Sequence, residues 1–310
     1  MVGECYMKLS GKTAVVMSTY NGEKYLKEQL DSILNQTYKN IDIYIRDDGS
    51  KDNTVKILED YKDKYINIFV TYGENVGYAK SFYKVLEQAN GYDYYAFCDQ
   101  DDKWHEDKIQ NAIKLIKDNN KPTCIFTEYN YCDEELKPLG GVSNLNKGRM
   151  NFRNSLVEAS ISGNTTLFNS EMRKEFLKCN VDNVCCHDWL LYMIASGFGD
   201  MIYDKNPSLE YRRTGNNASP RGVGFIKLTI YRIKKFLVGD YLNKLKDQTI
   251  EFYNLFNDKL SDKDKKIIKL FINKKYNIFI ALKKVFYMKR FRQTFADDIL
   301  IRFMFLNGRL

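Results

Sequence analysis

Three aspartates crowd into four positions of "FCDQDDKWHEDK" (residues 97–108): Asp99, Asp101 and Asp102. They follow an aromatic run, "YDYYAF", that reads as a strand. Carboxylates so close repel one another unless a divalent cation, a helix N-terminus or water offsets their charge. A second acidic pair, Asp47 and Asp48 in "RDDGS", closes another strand-like run. Taken alone, each cluster could merely cap a helix: Asp48, Ser50 and Asp52 before one starting near Thr54, Asp102 before one running through Lys108. Two clusters at neighbouring strand ends favour a metal-assisted site. Oxygen ligands suit Mg2+ or Mn2+, and Mg2+ takes one or two carboxylates together with phosphate oxygens. Such an ion makes most sense when the substrate carries a diphosphate, which bare carboxylates would repel. Tyr20, in "STYNGE", is placed to stack on a base, and Asp48 to accept hydrogen bonds from base or ribose. Tyr20 could equally be an ordinary strand-end aromatic.

The elements that must position these groups alternate along residues 12–132. "TAVVMSTY", "IDIYIRDD", "INIFVTYG", "YDYYAFCD" and "TCIFTEYNYC" have the β-branched and aromatic content of strands. Between them, apolar residues recur at helical spacing: Leu26, Leu30, Ile33 and Leu34; Phe82, Val85, Leu86 and Ala89; Ile109, Ala112, Ile113 and Ile116. Such a βαβα succession predicts an α/β fold, a mostly parallel sheet with helices on both faces. Ligands then lie beyond the carboxyl ends of the strands. Three of those ends carry the polar clusters "STYNGE", "RDDGS" and "CDQDD".

Several classes are excluded. There is no GxxxxGK[ST] loop and no GxGxxG after a strand, which argues against P-loop and dinucleotide-binding proteins. The position a Gly-rich loop would take in a sugar pyrophosphorylase reads "STYNGEKYL". No apolar run reaches a bilayer span, and "MVGECYMKLSGK" lacks the pattern of a signal peptide. The seven cysteines lack CxxC spacing, and Cys185–Cys186 beside His187 supply too few zinc ligands, so reduced thiols in a cytoplasmic protein are expected.

The quoted motifs carry a resemblance. "KTAVVMSTYNGEKYLKEQLDSILNQTYKNIDIYIRDDGSKDNT", "ENVGYAKSF" and "FCDQDDKW" resemble a family 2 inverting glycosyltransferase of GT-A (Rossmann-like) fold, in particular the bacterial rhamnosyltransferase-like enzymes of polysaccharide assembly. The likeness runs over roughly residues 12–220. It implies that Tyr20 and Asp48 hold a pyrimidine nucleotide with Thr19 and Glu23 nearby, and that Asn75 and Gly77 line the same pocket. It implies that Asp99 lies near the ribose and Asp101 binds the metal, Mg2+ or Mn2+. Downstream, "ISGNTTLFN" (161–169) precedes "CCHDWLLYMIASGFG" (185–199). Read locally, Asp188 caps a helix and Trp189 enters the core. The resemblance instead makes Asp188 the base and lays Trp189 against an acceptor sugar, with His187 as an alternative base or ligand. In "YRRTGNNAS" (211–219), Arg212 and Arg213 are forks suited to phosphate oxygens. Thr214 departs from the family pattern, where many members carry His, so water would complete the metal shell or metal would bind more weakly. A QxxRW signature is absent, which implies transfer of one or a few sugars. The implied donor is a nucleotide-diphosphate sugar, dTDP-rhamnose or a UDP-hexose, and the implied acceptor a glycan or lipid-linked glycan.

The net charge of +8 is divided unevenly: residues 222–310 hold 20 Lys/Arg against 8 Asp/Glu, which leaves residues 1–221 net negative. This divides a GT-A domain, 1–221, from a helical basic C-terminal region, 222–310, in which Ile268, Phe271, Ile272, Phe279, Leu282 and Phe286 share one helical face. The basic charge could be a solvated helix surface, an attraction to an anionic membrane by peripheral contact at its inner face, or a nucleic-acid contact. The competing expectation for the whole chain is a nucleotide- or nucleic-acid-binding protein without transfer chemistry.

Overall fold

The computed structural model describes residues 10–116, 120–214, 241–273 and 275–308. Strands β1 (Thr13–Thr19), β2 (Ile41–Asp47), β3 (Ile68–Tyr72) and β4 (Tyr94–Cys98) pair in parallel in the order β3-β2-β1-β4. β1 is buried almost throughout, its apolar run Ala14–Met17 wholly so, as befits a central parallel strand. Helices α1 (Leu26–Leu34), α2 (Thr54–Lys64) and α3 (Tyr78–Gln88) connect these strands, and α4 (Lys108–Leu115) follows them. Leu26, Leu30 and Ile33 of α1 are buried at the predicted spacing, as are Phe82, Val85 and Leu86 of α3.

Beyond β4 the sheet becomes mixed. It continues through β8 (Thr166–Asn169), β6 (Thr123–Cys132), β9 (Asp200–Arg212) and the two-residue β5 (Lys103–Trp104), with β7 (Pro138–Val142) paired to β6. β8 is antiparallel to both neighbours, whereas β6 and β9 run parallel. Sequence patterning missed β8 because four residues carry too little periodicity. It missed β9 because "DMIYDKNPSLEYR" is polar and contains Pro207, which sits where the β6–β9 register shifts.

Short helices α5 (Phe152–Ser155) and α6 (Ser170–Phe176) precede α7 (His187–Phe198); the C-terminal region adds α8 (Tyr241–Phe256), α9 (Asp262–Ile268), α10 (Ile278–Val285) and α11 (Phe295–Leu306). The single amphipathic helix expected through residues 268–286 is two. Asn277 accepts the amides of Phe279 and Ile280 and starts α10 afresh, so Ile268 and Phe271 are buried while Phe279 and Phe286 are exposed. These helices pack on the sheet domain: Phe252 and Phe256 of α8 lie against Phe152 and Phe198, and Asn154 donates to the carbonyl of Phe291 at 2.8 Å. The expected division at 221/222 lies outside the described residues. The same holds for residues 215–219 of the "YRRTGNNAS" element.

Candidate active site

Because β1 to β4 are parallel, the turns after Thr19, Asp47, Tyr72 and Cys98 gather at one edge of the sheet. Thr19 donates its hydroxyl to Asp47 at 3.0 Å, and Asp47 also accepts the amide of Ser50 at 2.9 Å. Asp48 is buried, ion-paired with Arg46, and accepts the amides of Val76 (3.0 Å) and Gly77 (2.9 Å). It therefore shapes the Asn75–Gly77 turn. The Asn75 side chain accepts the Gly77 amide at 3.1 Å, and Gly77 takes φ +83°, a conformation an L side chain resists. Tyr20 projects with 46% of its surface exposed, its main chain held on both sides by the Gln100 carboxamide at 2.8 and 3.1 Å. Glu23 accepts the amide of Asn53 at 2.8 Å and locks this turn to the start of α2. Asp52, not Asp48, satisfies the Thr54 amide at that helix start.

The acid loop after β4 is electrostatically tense. Burial, with Asp101 and Asp188 beside it, raises the Asp99 carboxyl to about 7. Burial also raises Asp101, and Asp102 is pushed well up by burial and by both neighbours. Asp102 does not cap α4; it takes Asn164 from the "ISGNTTLFN" turn and the amide of Arg212. Ionising such a cluster costs free energy, which a nearby positive charge would lower. Among the described residues no three acids, imidazoles or thiols form a ready cage. Two carboxylates with substrate phosphates are the usual complement for Mg2+.

Asp188 comes from a separate element, the first turn of α7, where the helix dipole favours its charge. The Cys186 thiol donates to Asp188 Oδ1 at 2.7 Å, and the Tyr78 hydroxyl reaches the Cys186 sulfur at 3.6 Å. Burial and Asp188 push the Cys186 thiol well above its ordinary value, which keeps it a protonated donor. The loop before α7 is pinned from the C-terminal region: Gln248 accepts the Cys185 amide at 2.8 Å, and Glu251 takes Asn180 and Asn183.

Three expected residues sit elsewhere than foreseen. Trp189 lies in the core, 3% exposed, with its indole N–H on the Ser155 carbonyl; a residue so buried supports the wall behind Asp188 and cannot lie against a sugar. His187 is buried too, stacked on Phe82 at 4.1 Å, and burial lowers its basicity, so it is a neutral core imidazole. Gly163 is required beside it, since a Cβ there would lie 2.5 Å from Nε2.

Arg212 is 1% exposed and lies over the Tyr25 ring at 4.4 Å. Its guanidinium pairs with Glu28 and donates to the carbonyls of Asp101 (2.9 Å) and Glu134. Sequence reasoning cast it as a phosphate fork, but its fork is spent on the acid loop, which it ties to α1 and β9. Lysine lacks the planar set of donors to replace it. Arg212→Lys should lower the unfolding free energy by about 2 kcal/mol in urea titrations. A fork that served only phosphate would leave stability unchanged. Arg213 is half-buried, its amide on the Cys132 carbonyl at 2.9 Å.

Sequence reasoning did not single out Arg46, Tyr78, Gln100 or Asn164, and it weighed Cys186 only as a zinc ligand. Arg46 abuts "DDGS" and Gln100 is the middle residue of Asp99-Gln100-Asp101, so proximity to a motif was a usable signal for both. Tyr78 and Asn164 reach the site only through tertiary packing.

Fold and site together define a GT-A-type protein, an α/β sheet whose polar groups gather beyond the carboxyl ends of parallel strands. The model of glycosyl transferase family 2 matches residues 14–179. RfbG of Shigella flexneri, a dTDP-rhamnosyl transferase, is 34% identical over 222 residues, 67% of this chain and 75% of that protein. The chain belongs to glycosyl transferase family 2 and is a glycosyltransferase. Residues 1–349 of S. aureus TarS, solved with UDP-GlcNAc, share the fold at a TM-score of 0.55 and 18% identity, covering 96% of this chain and 91% of that one. The mannosyltransferase PcManGT of Pyrobaculum calidifontis, solved with GDP-Man and Mn2+, does so at 0.50 and 14%, covering 96% and 74%.

Proposed function

We propose that the protein is a metal-dependent inverting glycosyltransferase that moves a sugar from dTDP-rhamnose or a UDP-hexose to a glycan or lipid-linked glycan of a surface polysaccharide. The observation that carries this reading is the 163–165 turn that joins the two acidic elements: Asn164 donates to Asp102 of the loop after β4, and Gly163 beside it lies against Asp188 at the start of α7. RfbG's dTDP-rhamnosyl transfer and the UDP-GlcNAc and GDP-Man complexes of the structural neighbours support a nucleotide-sugar donor. The expectation of a binding protein without transfer chemistry yields to the family assignment.

Exposed Tyr20 stacks on the base, the Asn75–Gly77 turn set by Asp48 lines the pocket, and Thr19 and Glu23 hold its floor. Asp99 meets the ribose side, and Arg213 supplies positive charge to the diphosphate. Asp101, with Asp99, would hold Mg2+ or Mn2+, which neutralises the charge developing on the departing diphosphate. Asp188 takes the proton of the acceptor hydroxyl as that oxygen bonds to the anomeric carbon. The bond from anomeric carbon to phosphate oxygen breaks on the opposite side, the nucleotide diphosphate leaves, and the configuration inverts. Turnover of a panel of dTDP-, UDP- and GDP-sugars with and without Mn2+ tests the proposal. Nucleotide release confined to dTDP-rhamnose or UDP-hexoses, and dependent on the ion, is expected; turnover of none, or equal turnover in chelator, would overturn it.

Cys186 positions the base through its thiol. Cys186→Ala should cut kcat about fivefold, the worth of one modest hydrogen bond. Cys186→Ser should restore most of the rate, with KM for the donor unchanged in both.

A further inference from the structure

Helices α10 and α11 form a packed pair whose outer surfaces are apolar. Inside, Ala281, Ile301, Met304 and Phe305 are buried, and Arg302 joins the two helices by donating to the carbonyls of Val285 and Lys289. Outside, Phe279 on α10, Phe286 just past its end, and Phe295, Ile299 and Phe303 on α11 are each more exposed than buried, and Met288 between the helices is 99% exposed. Along α10 and its C-terminal cap these side chains recur at i and i+7, on α11 at i, i+4 and i+8, so each helix carries one stripe. Soluble proteins seldom leave so many large apolar side chains exposed in one short segment without a partner for them.

The charges name the partner. Residues 275–308 contain two acids, Asp297 and Asp298, and both are turned to local structural work. Asp298 is buried against the amides of Phe291 and Arg292 and the Arg302 side chain; Asp297 pairs with Thr294 at the start of α11. The exposed charged side chains of this segment are Lys275, Lys283 and Lys289, all positive. Lys283 falls on the helical face of Phe279 and Phe286. A face whose exposed charges within this segment are all positive would set like charges against each other across a two-fold contact with a second copy. It complements a surface that is apolar below and anionic at its head groups. Among the described residues no helix is long and apolar enough to cross a membrane, so the contact is one of lying on it.

We propose that the α10–α11 pair docks the enzyme on an anionic lipid surface, the aromatic stripes and Met288 entering the interface and Lys275, Lys283 and Lys289 meeting lipid phosphates. Its purpose, delivery of the site to a lipid-linked acceptor, rests on the reading proposed above; its evidence does not. The test is flotation of the 310-residue chain with vesicles of phosphatidylglycerol and phosphatidylcholine, against phosphatidylcholine alone. The protein should rise with the mixed vesicles, and added salt should weaken that. Phe279→Ser with Phe303→Ser should reduce partition about a hundredfold. Lys283→Gln with Lys289→Gln should reduce it about thirtyfold on the mixed vesicles and leave the neutral ones unaffected. All four side chains are exposed, so the variants should fold and keep wild-type hydrolysis of a soluble donor. Failure to float overturns the docking while leaving that hydrolysis intact. Sedimentation of a dimer that the serine pair dissociates, without flotation, would assign the face to a second copy instead. Absence of donor turnover with flotation intact would overturn only the catalytic reading.

Discussion

Asp188→Asn is expected to lower kcat about a thousandfold, with KM for the donor within about twofold of wild type. The carboxamide keeps the shape of the side chain in the first turn of α7 and can still meet the Cys186 thiol. What it loses is the capacity to take a proton when the acceptor oxygen attacks. Nothing in the nucleotide pocket changes, so donor binding should survive, read by protection of the donor complex against thermal unfolding. Slow hydrolysis of the donor by water should fall less than transfer, because it depends more on leaving-group departure than on activation of a sugar hydroxyl. A variant that transfers sugar at the wild-type rate would remove Asp188 from the chemistry and return it to the role of a helix-start acid.

The second large effect is a trade of activity for stability in the acid loop. Asp99 holds its proton to about pH 7 in the native state because burial and the charges of Asp101 and Asp188 oppose ionisation. In the unfolded chain an aspartate ionises near pH ~3.9. The native state therefore binds this proton more tightly, and the stability it confers is complete below about pH 4 and lost as pH rises through about 7. Asp99→Asn removes that loss. Without metal, the variant should melt about 2–4 °C above wild type at pH 8 and match it at acid pH. Activity should move the other way, falling about a hundredfold or more, as should that of Asp101→Asn, because the ion and the diphosphate lose a carboxylate. In wild type, Mn2+ must displace the bound proton, so its affinity should weaken as pH drops below about 7, and calorimetry in buffers of different ionisation enthalpy should register proton release. Equal melting temperatures at pH 8 would show that the loop carries no such tension.

Much of the fold was legible from local pattern. The runs that became β1, β2, β3, β4 and β6 are rich in Val, Ile, Tyr and Phe, and the helices between them repeat apolar residues at helical spacing; both signals depend only on neighbours in the chain. A parallel pairing of the first four strands then gathers their polar ends at one edge, which is why "STYNGE", "RDDGS" and "CDQDD" lie together. The short β8 and polar β9 escaped, since their strand character comes from the ladders they join.

Residue types and spacing thus determined by themselves the four parallel strands, β6, the helices between them, and the edge at which their polar ends gather. Tertiary structure alone decided what each cation and aromatic does. Arg212 looks like a phosphate fork until the packing of α1 and β9 surrounds it with Glu28 and the carbonyls of Asp101 and Glu134. Trp189 looks like a sugar platform until it is found in the core, and Phe279 like core until Asn277 restarts the helix and turns it outward. The physical reason is range: backbone preference and periodicity act over a few residues, whereas the surroundings of Arg212 and Trp189 come from groups 34 to 184 positions away.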